Sequence, residues 1–94
     1  MIHLLARVKV ADLNGFLSVF TSAGFQARQK HGCHGASVFH GDDPTELMIL
    51  FQWISREAFE GFRADPEAKA TMASSGVVGP PEFTELKVVA GSPS

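Results

Sequence analysis

Residues 47–62 read Leu-Met-Ile-Leu-Phe-Gln-Trp-Ile-Ser-Arg-Glu-Ala-Phe-Glu-Gly-Phe, and this stretch decides the fold. Seven of the eight residues from Leu47 to Ile54 are apolar. Side chains of a strand alternate between its two faces, so a run this continuous belongs to a strand covered on both. Ser55 then follows as a helix N-cap, with Ala58, Phe59 and Phe62 on one helical face. The chain's own helices can cover one face of the strand. Ninety-four residues leave little to cover the other, and a second copy of the chain is the simplest cover.

Upstream, Ile2 to Val10 alternates with its even positions apolar, as in a strand with one face in the core. Asp12 is placed to cap a helix carrying Leu13, Phe16, Leu17, Phe20, Gly24 and Ala27 at spacings of three and four. Gly15 and Gly24 each cost that helix about 1 kcal/mol relative to Ala, so it depends on packing or lets another group approach closely. His31-Gly32-Cys33-His34-Gly35 turns into a second strand, Cys33 to His40. Gly41-Asp42-Asp43-Pro44 joins it as a hairpin to the apolar strand.

Downstream, Asp65-Pro66-Glu67 starts a short helix with Ala68, Thr71 and Met72 on one side, ending near Gly76. Gly79-Pro80-Pro81 is a stiff connection, and Phe83 to Ala90 reads as the last strand. The order predicts an α+β protein: a ferredoxin-like four-stranded antiparallel sheet with helices on one face. Residues 1–90 form one domain, with 91–94 a flexible tail. The open face of the sheet carries Leu5, half of the apolar strand, and Val88 or Val89. Two such faces packed together would hide an apolar patch larger than monomers usually tolerate.

Composition narrows the function classes. Eight basic against ten acidic residues, with no Lys or Arg run, leave nothing to neutralise a nucleic-acid backbone. No apolar run approaches the roughly 20 residues of a membrane span, and no signal-peptide pattern opens the chain. The single cysteine, Cys33, excludes an internal disulfide and fits a reducing compartment. These features predict a cytoplasmic protein.

With these elements placed, the chain resembles the antibiotic biosynthesis monooxygenase family of dimeric α+β barrels. The residues that carry the resemblance are LLARVKV, HGCHGASVF, FQWISREAFEGFRADPE and GPPEFTELKV, the third being the most specific. The resemblance implies a homodimer with facing sheets and a pocket in each subunit between helices and sheet. It implies a cofactor-independent monooxygenase acting on a flat aromatic substrate of quinol or polyketide type. The alternative is a non-catalytic dimer of the same fold that binds a hydrophobic metabolite or serves structure alone. Haem-degrading relatives place an Asn, a Trp and a His where the resemblance puts Ala6, Phe62 and Met72, so haem degradation of that type lacks its residues here. Ala6, Phe62 and Met72 are expected to line the pocket, together with Trp53 and Phe59; Phe62 and Met72 make either a dry wall for a flat apolar ligand or the filling of that pocket.

Candidate catalytic groups are few. Cofactor-free oxygenation needs a base or a cationic donor near the substrate, and Arg7, His34 and His40 are the candidates. Each has a structural alternative. Arg7 sits in an apolar strand, where an ion pair with Glu85, across the dimer or at the surface, would also explain it. His31, Cys33 and His34 are close in sequence but lack convergent metal-ligand spacing, so no metal site is expected. A Cys33 nucleophile activated by His31 or His34 has no third group to orient the base. Trp53, Phe51 and Phe59 are explained by core packing, although the Trp53 indole N–H calls for an acceptor.

Overall fold

The computed structural model describes residues 1–93 and shows a four-stranded antiparallel sheet covered by four helices on one face. The elements are β1 (Ile2–Lys9), α1 (Leu13–Phe20), α2 (Ala23–Lys30), β2 (Cys33–His40), β3 (Glu46–Trp53), α3 (Arg56–Ala64), α4 (Pro66–Ser74) and β4 (Glu82–Leu86). The strand order is β2-β3-β1-β4. The apolar strand thus lies inside the sheet, between β2 and β1.

Register decides which side chains meet. β1 pairs with β3 so that Leu4, Ala6 and Val8 stand opposite Phe51, Ile49 and Leu47. All six are buried. They pack with Phe16, Trp53 and Phe59 into one core, each large side chain contributing about 1.5–3 kcal/mol through burial. The alternate positions form the open face. There Leu5 opposes Leu50 and Arg7 opposes Met48, and both leucines remain half-buried. Phe39 and Leu86 are 53% and 39% exposed on the same face.

The single helix expected from Asp12 to Ala27 is two. Asp12 caps α1, its Oδ2 accepting from the Gly15 N–H at 2.7 Å. The hydroxyls of Thr21 and Ser22 then donate to the carbonyls of Leu17 and Ser18. Such back-bonding competes with the helix ladder, and the chain breaks at Thr21–Ser22 before α2 begins. Gly32 closes α2 with φ +90°, and a Cβ there would lie 2.8 Å from Ile54 Cγ2, so the glycine is required twice over.

Ser55 caps α3, accepting from the Ala58 N–H at 3.1 Å, and Asp65 caps α4, accepting from the Glu67 N–H at 2.9 Å. Phe59 and Ala68 are the buried residues of these two helices. After α4 the chain is tied back to the end of β1 by the Val10–Val77 bridge. β4 is shorter than the expected Phe83–Ala90 strand. Val88 and Val89 therefore lie beyond the sheet, 75% and 96% exposed, and the open-face position expected for them belongs to Leu86. Ser94, the last residue of the expected tail, lies outside the described residues. No helix is long and apolar enough to cross a membrane among the described residues.

Candidate functional site

Between the helices and the sheet lies an almost wholly apolar cavity. Ala6, Trp53, Phe59, Phe62 and Met72, the five expected pocket residues, all line it. The elements bring them together simply. Ala6 and Trp53 come from the inward faces of β1 and β3, Phe59 and Phe62 from α3, and Met72 from α4. Trp53 is the centre of an aromatic cluster, its ring 5.6 Å from Phe59, 5.1 Å from Phe62 and 6.2 Å from Phe51.

The enclosed volume is about 60 Å³. That is room for a water or two, whereas a benzene-sized site takes about 150 Å³. Phe62 and Met72 are only half-buried, the other three of the five buried.

Four lining residues carry polar groups: Trp53, Arg28, Thr71 and Ser75, the last donating its hydroxyl to the Met72 carbonyl. The Trp53 indole nitrogen is buried and has no hydrogen-bond partner among the described residues. Unpaired burial of such an N–H costs about 1–3 kcal/mol. Arg28 is 7% exposed and lines the cavity from α2. Its guanidinium lies 3.7 Å over the Phe20 ring and donates to the Phe20 carbonyl at 3.1 Å. Arg28 follows directly on Ala27, where the apolar stripe expected for this helix ends, so periodicity does not single it out. The signal that could have found it is Gly24, one turn earlier. A Cβ at Gly24 would lie 3.2 Å from the Arg28 guanidinium and 3.0 Å from the Val19 carbonyl, so the glycine allows the close approach that its sequence position suggested.

The three candidate catalytic residues stand apart from the cavity. Arg7 is exposed on the open sheet face, where it lines a separate, more polar groove of about 400 Å³ with Met48 and Glu82. Its expected partner Glu85 is on the other side of the sheet, opposite Leu4, and pairs with Arg56 at 3.3 Å and with Lys87. Glu82 is the carboxylate that register sets across from Arg7. His34 is exposed at the irregularity where the β2 register shifts between Cys33 and Gly35. His40 is exposed at the end of β2, its Nδ1 2.8 Å from the Gly41 carbonyl.

The turn residues serve other ends. His31 Nε2 donates to Asp65 at 2.7 Å. The Cys33 thiol donates to the Gly35 carbonyl at 3.3 Å. Burial pushes that thiol up from its usual range, so it stands protonated at neutral pH. Among the described residues no three His, Cys, Asp or Glu side chains converge as metal ligands do.

Comparison with known proteins agrees with this architecture. Residues 1–74 match the family model described as antibiotic biosynthesis monooxygenase. No protein of curated function matches the sequence. Among solved structures, the chain is similar to SnoaB, a cofactor-independent oxygenase from Streptomyces nogalater, with TM-score 0.80 and 16% identity over 99% of this chain and 97% of that one. An antibiotic biosynthesis monooxygenase matches with TM-score 0.73 and 15% identity over 96% of this chain and all of its own. A Bordetella bronchiseptica protein provisionally given the same description matches at TM-score 0.79 and 17% identity, over 95% and 97% of the two chains. At these identities the likeness establishes the fold.

Proposed function

The chain belongs to the antibiotic biosynthesis monooxygenase family, and from that membership we propose that it is a small homodimeric, cofactor-independent monooxygenase acting on a flat aromatic substrate. The observation that carries the proposal is the cavity itself. It lies between helices and sheet and is walled by Ala6, Trp53, Phe59, Phe62 and Met72.

The chemistry asks little of the protein. An electron-rich phenol or enol, once ionised, can itself reduce dioxygen. One oxygen atom enters the ring and the other leaves as water with the two hydrogens that the substrate gives up. The protein orients the ring, excludes water and stabilises the anion. Phe62 and Met72 must swing outward to admit the substrate, and their return would close the site.

The open face supports the dimer. Leu5, Leu50, Phe39 and Leu86 form an apolar surface suited to a second copy of itself. A role for Arg7, His34 or His40 would be exerted from outside the cavity of their own subunit.

The small volume favours a second reading, a dimer of the same fold that binds a hydrophobic metabolite, or none, without turning it over. Oxygen uptake with a panel of hydroquinones separates the two. The enzyme reading expects uptake that falls in Met72→Trp, where the cavity is filled. Absence of uptake with every hydroquinone, together with a native mass spectrum showing a bare dimer, would leave only the second reading.

A further inference from the structure

We infer that Arg28 is the receptor for an ionised oxygen of the ligand, so that the ligand is a flat aromatic carrying an acidic enol or a carboxylate. This rests on the cavity being a ligand site, as proposed above, and goes further by naming the charge of the ligand and the residue that reads it.

Arg28 is a buried cation without a counter-ion. Among the described residues no carboxylate pairs with it, and its electrostatic neighbour is Cys33, a thiol that burial keeps protonated. Burial also draws the guanidinium down from its usual range, yet an arginine stays charged at neutral pH. Holding an unpaired charge against an apolar wall is costly, and proteins ordinarily pair such a charge. The bond to the Phe20 carbonyl caps the end of α1, and a second reaches the neutral Cys33 thiol, so neither neutralises the charge. Stacking on Phe20 fixes the plane of the guanidinium without neutralising it.

A cation against a dry, apolar lining is the donor that an oxyanion requires. Among the described residues the lining holds no carboxylate and no histidine. A substrate that must be ionised to react with dioxygen therefore has to be acidic enough to arrive ionised, or to lose its proton to water as Arg28 receives it.

The test is binding to the full-length protein by isothermal titration calorimetry at neutral pH, with quenching of Trp53, the single tryptophan, reporting that the ligand is in this cavity. The probes are 2-naphthoate against neutral 2-naphthamide, and 2-hydroxy-1,4-naphthoquinone, which is ionised, against 1,4-naphthoquinone. The anion of at least one pair should bind roughly ten- to a hundredfold more tightly than its neutral mate, the worth of a charged hydrogen bond. The pair that shows the preference distinguishes a carboxylate from an enolate ligand. Arg28→Gln should remove the preference of anion over neutral mate. Equal binding of anion and neutral mate in the native protein would overturn the inference and leave the cavity reading standing. Binding by none of the four would overturn both. The comparison within the native protein holds even if Arg28→Gln fails to fold.

Discussion

His31 Nε2 stands 2.7 Å from Asp65 Oδ2, joining the end of α2 to the joint between α3 and α4. Because an ionised carboxylate only accepts, the imidazole nitrogen in this bond carries the proton. The other carboxylate oxygen caps α4 by accepting from Glu67 N–H. The His31 bond, then the Glu67 N–H, hold the Asp65 carboxyl below its ordinary range. A carboxylate with a depressed native pKa contributes stability that is fully present above its unfolded value and is lost as pH falls through its native value. Asp65→Asn keeps a competent cap but loses the charge. Urea midpoints should therefore be lower for Asp65→Asn than for the native chain at neutral pH, and the two should converge in acid below the ordinary carboxylate range. A constant difference across that range would refute the linkage.

Gly24→Ala should destabilise the protein although alanine is the better helix former. Propensity favours the substitution by about 1 kcal/mol. The added Cβ, however, meets the Val19 carbonyl at 3.0 Å and the Arg28 guanidinium at 3.2 Å. Overpacking costs about 1–3 kcal/mol. Chemical denaturation should show a net loss, and the same substitution at Gly41, where nothing lies within 4 Å, should show none.

Trp53→Phe should cost less than an ordinary core truncation. The smaller ring leaves a void, but it also removes a buried N–H with no partner, which offsets about 1–3 kcal/mol. Phe59→Ala has no such compensation and should cost about 3–5 kcal/mol. Equal losses in the two variants would mean that the indole N–H finds an acceptor in solution.

Leu50→Glu should break the dimer proposed for the open face. Leu50 lies opposite Leu5 on that face and contributes nothing to the helix-side core. Native mass spectrometry of the unaltered chain should give twice the 10.1 kDa chain mass. The variant should give the single mass with its secondary structure intact by circular dichroism. A native chain already monomeric would refute the dimer.

Much of this protein is determined by its sequence alone. The alternation of Ile2 to Val10, the continuous run from Leu47, and the caps at Asp12, Ser55 and Asp65 are local signals, and local physics reads them: pleat period, helix period and the hydrogen-bond needs of helix ends. They suffice for the order of elements and the sheet's inward face. The five cavity residues were legible through the family resemblance and the same inward faces.

Tertiary structure decided the rest, because it concerns residues distant in sequence or competing local bonds. The break at Thr21–Ser22 turns on hydroxyls that bond back to α1. Glu85 meets Arg56 rather than Arg7 because register sets it on the helix side of the sheet. His31 finds Asp65 across 34 positions of chain. The burial of Arg28 against Phe20, and the want of a partner for Trp53, are properties of what surrounds a side chain, and no periodicity in the chain encodes them.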